Sequence, residues 1–125
     1  MADKNKYPHP STLNVGNFVS IKLSENNYQL RKTQVLGLIE SQDMMGFIDG
    51  DFPAPKEKIE APDSDSSGKK EIVNPEFSLW KRSDRLLHGW ITGTLSEDTL
   101  SLVVGLDISN VVWTTLNDSC LKLLS

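Results

Sequence analysis

The stretch Asn74-Pro-Glu-Phe-Ser-Leu-Trp80-Lys-Arg-Ser-Asp-Arg-Leu-Leu-His-Gly-Trp90-Ile-Thr-Gly-Thr-Leu95 decides how the chain folds. Asn74 is suited to an N-cap because its side-chain oxygen can accept from the unpaired amides of a first helical turn. Pro75 fits the first helical position, and Glu76 complements the positive end of the helix dipole. Phe77, Trp80, Leu87 and Ile91 recur at helical spacing, while Leu79, Leu86 and Trp90 widen the apolar arc. A helix this apolar needs neighbours on more than one side. Gly89 and Gly93 weaken its end, and Ser96 reads as the cap of the next helix.

Working outward toward the N-terminus, residues 56–70 carry almost no large apolar side chain, and burial there cannot offset the cost of ordering the chain. They read as a flexible, disordered connector inside one domain, between the first helix and the long one. Before it, Gly46-Phe-Ile-Asp-Gly50 and Asp51-Phe-Pro-Ala-Pro55 are turn chemistry, with Phe47 and Phe52 as anchors. Tyr28, Leu30, Val35, Leu38 and Ile39 fall near one face of a helix capped from residues 24–27. That helix ends about residues 42–45, with Gly46 in the stop position. Phe18-Val-Ser-Ile-Lys-Leu-Ser24 alternates with period two and predicts an extended segment before this helix. Residues 1–17, polar and broken by Pro8 and Pro10, read as a flexible arm.

Toward the C-terminus, Ser96-Glu97-Asp98 opens a short helix bearing Leu100, Val103 and Val104, stopped by Gly105. A last helix, capped by Asp107 or Ser109, presents Val112, Trp113, Leu116 and Cys120. Its apolar pattern is still running at Ser125, which predicts a chain truncated at the C-terminus. The expectation is an all-α bundle of four main helices in a single domain, residues 18–125, large enough at 125 residues to bury roughly two-thirds of its surface.

A net charge of −4 gives the chain no positive field to attract RNA, DNA or an anionic membrane. One cysteine excludes an internal disulfide and a multi-cysteine zinc site. The N-terminus lacks an apolar signal region, and no run of about 20 apolar residues occurs, which predicts a soluble intracellular protein with no membrane association. His9 and His88 stand apart from other ligand types, Asp49-Gly-Asp51 lacks the later acids of a calcium loop, and no serine sits in a nucleophile elbow. No phosphate-cradling glycine-rich loop occurs either. No catalytic residue, metal, cofactor or small-molecule substrate is assigned, and the chain is not read as an enzyme.

Four motifs, in order, resemble the N-terminal part of Gag from plant copia-type LTR retrotransposons. Lys22-Leu-Ser-Glu-Asn-Asn-Tyr28-Gln-Leu-Arg-Lys-Thr-Gln34 is similar to the family's K-L-(T/S)-x-x-N-Y-x-x-W-K-x-Q opening. Gly46-Phe-Ile-Asp-Gly50 is similar to its G-(F/Y)-(V/I)-D-G turn. Asn74-Pro-Glu-Phe-x-x-Trp80 through Leu86-Leu-x-x-Trp90-Ile is similar to its N-P-x-(Y/F)-x-x-W…L-L-x-W-I helix. Leu95-Ser-Glu followed by Val112-Trp113-x-x-Leu116 is similar to its L-S-x-E…(V/A)-W-x-x-L end. The resemblance covers about residues 8–118. It implies a capsid-like helical domain that builds cytoplasmic virus-like particles by self-association. RNA would then be bound weakly, or through C-terminal regions that this chain lacks. The matched residues Tyr28, Phe47, Trp80, Leu87, Trp90, Trp113 and Leu116 would pack the core. Arg31 departs from the family, which has tryptophan there, and the family's second helical region and Cys/His zinc knuckle are not in the chain. The second reading is a host protein-interaction adaptor derived from such a Gag.

Overall fold

The computed structural model describes residues 6–10, 27–61 and 70–124, and of Tyr28, Arg31 and residues 120–124 only the backbone. The predicted extended segment at 18–24 lies outside them, as do residues 62–69 of the predicted connector. In chain order the elements are α1 (Tyr28–Ser41), α2 (Gly46–Asp49), β1 (Lys58–Glu60), β2 (Glu71–Val73), α3 (Pro75–Gly93), α4 (Glu97–Leu100) and α5 (Ser109–Leu124). Among the described residues the protein is mostly helical but not purely α: three long helices and two single-turn ones accompany a small antiparallel sheet.

Helix α3 begins as its sequence dictates. The Asn74 side chain accepts from the Glu76 amide at 3.1 Å, and Pro75 occupies the first turn. It buries Trp80, Leu87, Trp90 and Ile91 in one core with Val35, Ile39, Met44, Phe47, Leu95, Val103, Val112, Trp113 and Leu116. Full burial of each such aliphatic side chain is worth about 1.5–3 kcal/mol relative to exposure, so this one helix supplies a large part of the apolar driving force.

Four local expectations are corrected. Helix α1 stops at Ser41 with Gln42 as its C-cap, and Leu30 is 73% exposed rather than on the buried face. Gly46 opens α2 instead of stopping α1, and left-handed Gly50 closes that turn, a conformation glycine adopts without Cβ strain. Helix α4 ends at Leu100; Val103 is buried beyond it, while Val104 points to solvent. The start of the connector is ordered: β1 pairs with β2, Ile59 opposite Ile72, and the Asn74 amide extends the ladder to the Glu57 carbonyl at 2.8 Å. Two short, largely exposed strands are stabilised here because the second runs straight into the α3 cap, which fixes its position.

Candidate interaction site

The arm contributes what periodicity could not reveal. Within the stretch read as a flexible arm, Tyr7 is 7% exposed and belongs to the core. Its ring stands 5.8 Å from those of Phe47 and Phe52, tilted on the first and edge-on to the second. Phe47 and Phe52 lie 5.2 Å apart, edge to face, and Phe47 meets Trp80 at 6.0 Å. Trp80 in turn stacks on Phe77 at 6.1 Å. These separations fall in the range where aromatic pairs gain about 0.5–1.5 kcal/mol beyond their burial.

The socket that receives Tyr7 is built by short-range chemistry. The Phe52 amide donates to the Gly46 carbonyl at 2.9 Å, folding the loop back over α2. A Cβ on Gly46 would lie 2.5 Å from the Phe52 ring, so the bare backbone at position 46 is what lets that ring settle. The Trp80 indole N–H donates to the Phe52 carbonyl at 2.8 Å and ties the same loop to α3. Outside the socket, Lys6 pairs with Glu76 at 3.0 Å, both half exposed, and the Lys6 ammonium lies 5.7 Å from the centre of the Tyr7 ring. Partial burial, and to a lesser degree the positive charge of Arg82, lowers the pKa of His9 below the usual imidazole value. The ion pair ties Lys6 to the first turn of α3. An open cavity of about 360 Å³ remains beside the arm, bounded by Lys6, Tyr7, Phe52, Pro53, Pro55 and Glu76.

A second set of contacts holds the connector between α4 and α5 against α3. His88 Nε2 donates to the Leu106 carbonyl at 2.7 Å, and Arg85 meets Asp107 at 3.6 Å. The Ser109 amide donates to both oxygens of the Asp84 carboxylate, at 3.4 and 3.3 Å, and its hydroxyl donates to the Asp84 carbonyl at 2.9 Å. A buried carboxylate from α3 thus caps α5. Burial raises the pKa of Asp84, opposed by the Ser109 hydrogen bonds and by the nearby His88 and Arg85.

Of the residues singled out from the sequence, Phe47, Trp80, Leu87, Trp90, Trp113 and Leu116 are all buried. Tyr28 and Arg31 lie in the first turn of α1, and their side chains, like that of Cys120, are outside the described residues. Among the described side chains of this set, Phe47 and Trp80 reach the Tyr7 socket. Sequence reasoning missed Tyr7 and the Asp84–Ser109 pair. The one signal for Tyr7 is that it is the sole aromatic residue among the first 17. Among the described residues, no three His, Cys, Asp or Glu side chains cluster closely enough to hold a metal ion.

No known family model and no solved structure matches the chain. It is 30% identical over 104 residues, 83% of its length, to the retrovirus-related Pol polyprotein from transposon RE2 of Arabidopsis thaliana. It is likewise 30% identical over 106 residues, 85% of its length, to the retrovirus-related Pol polyprotein from transposon RE1 of the same plant. The chain spans about 7% of the length of each of these curated relatives. The likeness, which runs through most of the chain, supports a plant retrotransposon origin.

Proposed function

We propose that this chain is a copia-like Gag N-terminal module, a structural domain that self-associates into virus-like particles in the cytoplasm and performs no catalysis of its own. The observation that carries the reading is the ordered set of four motifs, from Lys22-Leu-Ser to Val112-Trp113-x-x-Leu116. It stands within a chain of which more than four-fifths aligns with retrotransposon polyproteins. Those relatives are named Pol polyproteins, and the aligned part is a small fraction of each; the Gag-like reading rests on the motifs rather than on that name. A core built from motif residues suits a role in which shape, not chemistry, is the product. In this reading the partner is a second copy, and RNA is bound weakly or through regions other than this one.

Light scattering and electron microscopy of the purified chain, from micromolar to millimolar concentration, test the proposal. The expected result is a size that grows with concentration into large assemblies. A monodisperse monomer throughout would overturn it and favour an adaptor derived from such a Gag.

A further inference from the structure

We infer that the outer edge of the hairpin is a self-pairing surface: β1 of one chain lies antiparallel against β1 of a second copy, about a two-fold axis through Ile59. The inference deepens the assembly reading by naming one of its contacts, and so rests on that reading. It starts from the parity of the ladder. The Asn74 amide donates to the Glu57 carbonyl and the Ala61 amide to the Lys70 carbonyl, both at 2.8 Å, with Ile59 opposite Ile72 between them. The peptide groups of residues 57, 59 and 61 thus turn inward to β2. Those of Lys58 and Glu60, both exposed residues, turn to the outer edge, because hydrogen-bonded and non-hydrogen-bonded positions alternate along an antiparallel strand.

Parity and charge together choose the partner. An antiparallel strand can meet this edge only where its own outward-turned residues face Lys58 and Glu60. For a second β1 that leaves registers centred on residue 58, 59 or 60. The first sets Lys58 against Lys58, and the third sets Glu60 against Glu60. Centred on Ile59, each Lys58 stands opposite Glu60 of the other copy, in the pairs that exchange hydrogen bonds. Charges on an edge strand ordinarily block pairing; these admit a strand that carries the same charges in reverse order, and β1 read antiparallel is such a strand. The outward residues of β2, Glu71 and Val73, offer no such match. The same register sets the two Ile59 side chains side by side, in one row with the two Ile72 side chains. Upstream, the Asn74 side chain already occupies the Lys56 carbonyl at 2.9 Å, and Pro55 has no amide, so the pairing is confined to this short stretch. A contact so far below the roughly 1,200 Å² of a standard specific interface is weak alone and gains from repetition among tethered copies.

Charge swaps test the register between copies. Ile59→Cys is placed in a Cys120→Ser background, where the pair on the two-fold axis brings its Cα atoms to about 4.5 Å, within disulfide reach. Lys58→Glu, Glu60→Lys or both are added to it. After oxidation, the unswapped chain and the double swap should give the dimer linked at position 59, and each single swap roughly tenfold less. The two single swaps mixed together should recover the yield as a heterodimer, since each then offers the charges the other lacks. Both remain net negative, so overall charge cannot produce that recovery. Equal yields in all samples, or no recovery on mixing, would overturn the inference. Sedimentation of the same charge variants with Ile59 kept should rank them in the same order, and a different order would count equally against it. Scattering from the unmodified chain distinguishes the two readings. Large assemblies with disulfide yields indifferent to charge would leave self-association standing and remove this edge from it. The charge-dependent disulfide in a chain that never exceeds a dimer would keep the edge and remove the particle.

Discussion

At the residue scale, Asp84 is a buried carboxylate whose environment changes its chemistry. Its folded pKa is raised, with burial the largest cause, so between the ordinary carboxylate value and the raised one the native state holds a proton that the unfolded chain has released. Stability from this group is therefore present at low pH and declines as pH rises through that window. Asp84→Asn removes the titration while keeping an oxygen able to accept from the Ser109 amide. Urea melts of both proteins from pH 4 to 7 should show the parent losing stability relative to the variant as pH rises; parallel curves would mean the carboxylate is solvated. His9 has the opposite sign. Its pKa is lowered by desolvation and by Arg82, so arm docking is favoured above the usual histidine value and weakens as pH falls through it. Tryptophan fluorescence, to which Trp80 in the socket contributes along with Trp90 and Trp113, should shift on mild acidification in the parent and less so in His9→Gln. An equal shift in both would place the change elsewhere.

At the element scale, helix α3 and its caps carry the architecture. Asn74 both caps α3 and donates its side-chain amide to the Lys56 carbonyl at 2.9 Å, joining helix and hairpin. Asn74→Ala should cost about 1–2 kcal/mol, the range for loss of an N-cap, read from the denaturant midpoint at constant slope. Gly46→Ala forces the Phe52 ring to move and should cost about 1–3 kcal/mol, as overpacking does. If it leaves the melt unchanged, the loop has more room than the 2.5 Å approach allows. These elements also show what a sequence reveals. Helix α3 was legible because its cap, its proline and its apolar stripe all lie within 20 residues. The hairpin was not, because its two strands are only three residues each, too short for an alternating pattern, and lie on either side of a polar stretch. The socket was half legible: Phe47 and Phe52 stood out as anchors. Nothing local marked Tyr7 as their partner, since that contact joins positions 40 and 45 residues apart in the chain. The α5 cap eluded the pattern for the same reason, for its carboxylate comes from α3, 25 residues earlier.

At the scale of the whole molecule, charge governs what the domain can recruit. The chain carries 13 basic and 17 acidic side chains, and the basic residues of α3 are divided among local uses. Arg85 faces Asp107, the charge of Arg82 acts on His9, and Lys81 is exposed. A nucleic-acid footprint requires several cations free to displace counterions along a phosphate backbone, and each such contact steepens the salt dependence by nearly one unit of slope. A net charge of −4 opposes that at every approach. Single-stranded RNA should therefore bind no tighter than about micromolar at physiological salt, with a shallow dependence on salt concentration. Fluorescence anisotropy with a labelled oligonucleotide across a salt series measures both quantities. Nanomolar affinity with a steep slope would mean that the basic residues converge on one face, and would shift the proposed role from self-association toward nucleic-acid binding.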